Sequence, residues 1–154
     1  MGEGSPGRLL AWDRELSAAH VRLRDALRLL RESPPDDDKS AAHDLLLYCH
    51  GFCAALSGHH LSEDGRLFPE LDLRHPELAE VIARLRQDHS MISCLLTEFD
   101  HATASSATAE ELERHLDGIG AIMESHFGYE ERELLPLLTH LELDADISDV
   151  LGPL

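Results

Sequence analysis

His59-His60-Leu61-Ser62-Glu63-Asp64-Gly65-Arg66-Leu67-Phe68-Pro69 is the stretch on which the fold turns. His59 and Glu63 stand four residues apart, which puts them on one face of a helix, one turn above the other. Phe52, Leu56 and Leu67 fall on that same face. A helix turns its leucine- and phenylalanine-rich stripe toward a core, so this imidazole and this carboxylate are expected to point inward. A second stretch repeats the pattern 67 residues later: His126-Phe127-Gly128-Tyr129-Glu130-Glu131-Arg132-Glu133-Leu134-Leu135-Pro136. His126 and Glu130 are again four apart, with Ile119, Ile122 and Met123 before them on the same face and Leu134 after. Both stretches close on Leu-x-Pro at the same offset, a weak internal repeat. Two His-x-x-x-Glu pairs, each on the apolar face of a long helix, are far more specific together than either alone.

Working outward, proline, glycine and capping residues punctuate the rest. A first helix is expected from about Leu9 to Arg31, with Leu16, Leu23, Leu27 and Leu30 at helical spacing, closed by Ser33-Pro34-Pro35-Asp36-Asp37-Asp38. Ser40 is placed to cap a second helix running to about Leu71. Pro76 suits the first turn of a third, reaching about His101. Thr108 and Glu111 have capping-box spacing and open a fourth, to about His140. Asp144 to Leu151 reads as a short helical tail, and strand signals are nearly absent. Four long helices with short connections predict an all-α protein, an up-down-up-down four-helix bundle over about residues 9–140 within a single domain, 1–154.

The other two helices each place a histidine on the apolar stripe: His20 among Leu16, Leu23 and Leu27, and His89 among Leu85, Ile92 and Leu96. A lone histidine on such a face is usually a satisfied core residue. One on every helix, with two carboxylates beside them, points to cations, because unpaired carboxylates in a bundle core are very costly and bound cations remove that cost. Imidazole with carboxylate suits iron, manganese or zinc rather than copper(I) or calcium.

From His20 to Pro136 this set resembles the hemerythrin-like HHE cation-binding family. The resemblance implies a non-haem centre of two iron ions, bridged by two carboxylates and usually by an oxo or hydroxo group. Carried over, the metal ligands are His20, His59, Glu63, His89, His126 and Glu130, with Glu63 and Glu130 bridging. One position departs from the oxygen-carrying members, which have two histidines a turn apart on the third helix. Here the residue four after His89 is Ser93 and the residue four before is Leu85. His60 is the best substitute for the missing ligand, since Glu63 falls between His59 and His60 around the helix axis. Glu131 stands as the alternative bridge, because the oxygen carriers use a five-residue spacing there.

Several residues near the site have two readings. Tyr48 lies on the His59 face and is a core residue, lines the pocket or supplies an oxygen ligand; Tyr129 sits close to the His126–Glu130 face and has the same readings. Cys49, Cys53 and Cys94 read as reduced thiols, either small buried hydrophobes or redox-active groups. His43, His50, His75, His101, His115 and His140 read as surface or loop residues, with His115 nearest in register to the ligand face. Gly58, Gly65 and Gly128 flank proposed ligands and suggest a close backbone approach or a local bulge.

Thirteen Lys+Arg against thirty Asp+Glu give a formal net charge of −17, which argues against nucleic acid and against anionic membrane surfaces as partners. No apolar run is long enough to span a membrane and no secretory leader is legible, so a cytoplasmic protein is expected. The ligand expected at the metals is a small oxidant: dioxygen, peroxide or nitric oxide. The absent histidine tilts the reading from reversible oxygen carriage toward peroxide-decomposing chemistry; the alternatives are an iron or oxygen sensor and a reversible carrier. A ferritin-like site fits poorly, since it needs two Glu-x-x-His motifs and the chain offers Glu98 to His101 alone. Oligomeric state and catalytic residues are not legible.

Overall fold

The computed structural model of the chain describes residues 10–32, 39–105 and 107–152, with backbone alone for 39–49. Four helical rods make up the bundle. The first is α1, Trp12–Glu32. The second is composite: α2, Lys39–Ser62, runs into a π-helical turn, Glu63–Leu67, and on into α3, Phe68–Arg74. A 3₁₀ turn, Pro76–Leu78, leads into the third rod, α4, Ala79–Ala104, and the fourth is α5, Ala109–Leu138. A short α6, Ile147–Leu151, ends the fold, and the described residues contain no strand.

The boundaries move by a few residues from the sequence expectation. Leu9 lies outside the described residues, and α1 begins at Trp12. Lys39 is already helical, so Ser40 sits inside α2 and is not its cap. The second rod runs past Leu71 to Arg74, while Pro76 opens a 3₁₀ turn instead of the α-helix itself. Helix α4 continues past His101 to Ala104, and α5 stops at Leu138, short of His140. The tail is helical only from Ile147. The start of α5 is as expected: Thr108 Oγ1 accepts from the Glu111 amide at 3.2 Å and Glu111 Oε2 accepts from the Thr108 amide at 3.4 Å. This satisfies two of the amides that a helix start leaves without partners. Pro136, which has no amide hydrogen, is carried within the last turn of α5.

Contacts between the rods show that they alternate in direction. The end of α1 meets the start of α5 through Arg31 and Asp117, while Trp12 at the start of α1 donates to the carbonyl of Leu143, just beyond α5, at 3.1 Å. His50, in the first half of the second rod, pairs with Asp100 of late α4, and Asp64, in the second half of that rod, pairs with His89, nearer the start of α4. Phe99 of late α4 packs on His115 of early α5.

The core is split into two apolar layers. One holds Trp12, Leu16, Phe68, Leu71, Leu85, Leu134, Val150 and Leu151. The other holds Leu23, Leu27, Leu56, Ile92, Leu96, Ile119, Met123 and Phe127. Each such side chain stabilises the fold by roughly 1.5–3 kcal/mol when fully buried. Along every rod the residues between the two layers are polar: His20, then His59, His60 and Glu63, then His89, then His126 and Glu130, all buried. No helix among the described residues is long and apolar enough to cross a membrane.

Candidate metal centre

All seven residues expected as ligands meet in that polar layer. Their atoms form two overlapping groups, each fitting within 4.8 Å: His60, Glu63, His89 and His126, and His20, His59, Glu63 and Glu130. Glu63 belongs to both. Its Oε1 is 3.4 Å from His59 Nε2 and 3.3 Å from His89 Nε2. Glu130 also faces both groups, with Oε2 at 3.2 Å from His126 Nε2 and 3.8 Å from His20 Nε2. Each carboxylate therefore spans the two groups.

One rod presents three of these side chains, His59 and His60 from the last turn of α2 and Glu63 from the first residue of the π-helical turn. In a regular helix His59 and His60 diverge by about 100°. Widening the turn at Glu63–Leu67, where the Phe68 amide bonds to the Glu63 carbonyl, shifts the rod's register beside the site. Both His59 and His60 are buried with Glu63. Gly65 lies within this turn with open space where a Cβ would be, so the bulge reading suits it and close approach does not. Gly128 also has open space around it.

Four of the histidines are held through Nδ1. His20 donates to Glu131 Oε1 at 2.8 Å, His59 to the Leu151 carbonyl at 2.7 Å, His89 to Asp64 Oδ1 at 2.9 Å and His126 to Asp88 Oδ2 at 3.1 Å. Carboxylate and carbonyl oxygens only accept, so each Nδ1 carries the proton and each Nε2 turns a lone pair to the centre. Such partners fix tautomer and ring direction, and they are typical of metal-binding imidazoles. Sequence reading missed this outer layer, although its signal was present. An acidic residue follows each inward glutamate, Asp64 after Glu63 and Glu131 after Glu130, and Asp88 precedes His89. The repeat relates His89 and His126 to His20 and His59, so the counterpart of Asp88 is Ala19, which offers no acceptor. The Leu151 carbonyl of α6 supplies the missing one. Glu131 is thus engaged by His20 and Arg24 at the edge of the core, whereas Glu130 points into it.

The donor set fits cations. His20 Nε2, His59 Nε2, His60 Nε2 and both oxygens of Glu63 and of Glu130 are buried without a hydrogen-bond partner. Each such atom costs about 1–3 kcal/mol, so the seven together rival the whole stability of an ordinary domain, about 5–15 kcal/mol. His89 and His126 add to this, with their Nε2 atoms 3.1 Å apart. A cation among these lone pairs offsets the cost, and imidazole with carboxylate and no thiolate suits iron, manganese or zinc.

The chain belongs to the hemerythrin HHE cation-binding family. The family's sequence model matches residues 13–138, which contain every member of the cluster. Comparison with curated proteins and with solved structures finds no match. As a hemerythrin-family chain it is a metal-binding protein, and its histidine and glutamate clusters are where ions fit. The α6 segment lies beyond the matched residues, yet it holds His59.

The charges are tuned by burial. Desolvation, with the charge of Glu130 beside it, pushes the Glu63 carboxyl well above the usual range. Burial also acts to raise Glu130, but pairing with Glu63 and His126 and the charge of His20 hold it well below. Burial lowers His59 to about 4 and pushes His60 well down. Burial works to lower His126 as well, but Glu130 and Asp88 raise it.

Residues outside the cluster sort simply. His50 and His75 pair with Asp100 and Glu77 at the surface, His101 and His140 are exposed, and His115 packs on Phe99, away from the centre. Tyr129 stacks beneath Arg84, 4.0 Å from the ring centroid, outside the cluster. Cys53 is half-buried and Cys94 exposed, both as free thiols. The side chains of His43, Tyr48 and Cys49 lie outside the described residues.

Proposed function

We propose that the chain is a non-haem di-iron protein that binds or reacts with a small oxidant, with peroxide favoured over dioxygen and nitric oxide. The ligands are His20, His59, His60, Glu63, His89, His126 and Glu130. The observation that carries this reading is the convergence of seven partnerless buried atoms on two overlapping donor groups that share Glu63. One ion in the His20 group would leave His60 Nε2 uncompensated, and one in the His60 group would leave His20 Nε2 and His59 Nε2 so.

A bound iron pair supplies redox chemistry and a position open to a small ligand. The chain's own residues do the rest. Glu131, Asp64, Asp88 and the Leu151 carbonyl keep the Nδ1 protons in place, so each Nε2 stays aimed at the centre. Glu63 would ligate as the carboxylate, since metal ligands of this type are ionised. Phe127, stacked on His20 at 3.9 Å between centroids, and Phe68, stacked on His89 at 5.5 Å, keep water from the rings. Turnover is favoured over reversible carriage because a carrier needs a dry pocket, whereas the hydroxyl-bearing Ser57, Ser90 and Ser93 line a cavity beside His60 and His89.

Elemental analysis and an ultraviolet–visible spectrum, before and after peroxide, test the reading. About two irons per chain with the absorption of a coupled ferric pair support it. Peroxide consumed over many turnovers marks an enzyme; a single stoichiometric change marks the sensor or carrier. A colourless protein without transition metal after iron-replete expression overturns the reading.

A further inference from the structure

The two donor groups are not equally sealed. His20, Glu63 and Glu130 have no exposure and neither does His59, whereas His60 keeps 5% and His89 4%. That small exposure opens into a cavity of about 340 Å³ between α2 and α4, lined by His60, His89, Asp64 and the hydroxyl-bearing Ser57, Ser90 and Ser93. The other side of the centre is closed. The repeat places Phe127 where the second rod has His60. Each ring stacks on the histidine of the adjacent rod: Phe127 on His20 at 3.9 Å, His60 on His89 at 3.8 Å. Outside Phe127 lies the Arg24 guanidinium, 5.3 Å from the ring centroid and tied to Glu124 and Glu131. One difference between the two copies of the repeat thus leaves the centre open on the His60 side and shut on the other.

We propose that the external ligand enters between α2 and α4 and reaches the cation held by His60, Glu63, His89 and His126, and that it is a small, neutral, hydrogen-bonding oxidant of the hydroperoxide class. This rests on the two-cation reading above and assigns its side and its ligand chemistry. The Ser57 and Ser93 hydroxyls offer donors and acceptors along the wall, and Ser90, whose Oγ donates to the Arg86 carbonyl at 3.3 Å, offers an acceptor, which suits a molecule that hydrogen-bonds over an apolar gas. The Asp64 carboxylate at the wall, on a chain of net charge −17, opposes the entry of anions. The volume accommodates a small hydroperoxide with a few waters, each water taking about 30 Å³.

The test uses iron-loaded protein and plugs the cavity after folding. Ser93→Cys in a Cys94→Ser background is alkylated with a bulky maleimide, and nitric oxide is mixed with the reduced protein while its visible band is followed. The unmodified chain alkylated at Cys94, which is exposed and off the cavity, is the matched control. The plug should slow association at least tenfold with iron content unchanged, and Ser93→Trp should do the same without chemistry. An unchanged rate in both overturns the port. For the ligand class, azide association with the unplugged protein should quicken as salt screens the acidic wall, and Ser57→Ala/Ser93→Ala should raise the half-saturating peroxide concentration several-fold. Azide association that slows with salt, or peroxide saturation that does not move, overturns the class. A parent protein that holds no iron overturns the di-iron reading and the port together; a parent that binds nitric oxide as fast when plugged overturns the port alone.

Discussion

The His59 ring donates from Nδ1 to the carbonyl of Leu151, 92 residues further along the chain, at 2.7 Å. A ligand candidate on the second rod is therefore aimed by backbone from the last helix. The same segment presses close at Gly152, whose φ of 90° lies in the left-handed region and where a Cβ would fall 2.8 Å from the His59 amide nitrogen and 2.9 Å from its Cα. Gly152→Ala should destabilise the protein by about 1–3 kcal/mol through backbone strain, seen as a lower Tm. It should also lower metal occupancy. Ending the chain at Asp146 removes the burial of Val150 and Leu151 as well, at about 3–6 kcal/mol. Full metal content in the truncated protein would show that α6 does not position His59.

Glu63 touches both donor groups, so Glu63→Ala should lose at least one metal ion per chain by elemental analysis. Glu130→Ala should behave alike. Glu131 acts through His20, so Glu131→Gln should keep the site and weaken metal affinity by roughly 10–100-fold, as changes in such supporting contacts do. A chain whose metal survives Glu130→Ala but not Glu131→Ala would exchange those two roles. His50→Ala, at an exposed pair with Asp100, should change neither metal content nor stability beyond about 0.5 kcal/mol.

Buried neutral histidine makes the metal-free protein acid-sensitive. The folded pKa of His59 lies at about 4 against 6.5 for the free side chain. Between those values the unfolded chain binds the extra proton, so this residue's contribution to stability falls as pH drops from 6.5 toward 4 and is level outside that window. The loss is about 3 kcal/mol at 1.36 kcal/mol per unit. Denaturant unfolding of metal-free wild type and His59→Leu isolates it: the difference between the two should shift by about that amount against wild type from pH 7 to pH 4. A pH-independent difference would place His59 in a polar environment.

Burial and, next, the charge of Asp100 raise the Cys53 thiol to about 11 from 9.0. Its thiolate population at neutral pH is therefore about 100-fold below that of an unperturbed thiol. Mass-mapped alkylation should label exposed Cys94 first and Cys53 far later. Rapid labelling of Cys53 in the folded protein would contradict its packing between α2 and α4.

The sequence by itself determined the four rods and five of the residues that meet between them, His20, His59, Glu63, His89 and His126. Helical period and capping chemistry act over one or two turns, so His59 with Glu63 and His126 with Glu130 identify an inward face without knowledge of any neighbour. Thr108 with Glu111 is legible for the same reason, since both halves of that cap lie within one turn. Helix ends were less legible, because terminal turns depend on what packs against them. Tertiary structure alone decided three things. It resolved Glu130 from Glu131, which neighbour each other in sequence, by turning one into the core and pairing the other with His20. It brought His60 in beside His89, ring stacked on ring at 3.8 Å between centroids, because only the packing of α2 on α4 sets that pair. It supplied His59 with a carbonyl from Leu151, because Ala19 has no acceptor and only the folded chain brings α6 to that ring. Pattern reaches as far as a few turns of helix; the orientation of each ring, and the side on which the centre opens, depend on contacts between residues far apart in the chain.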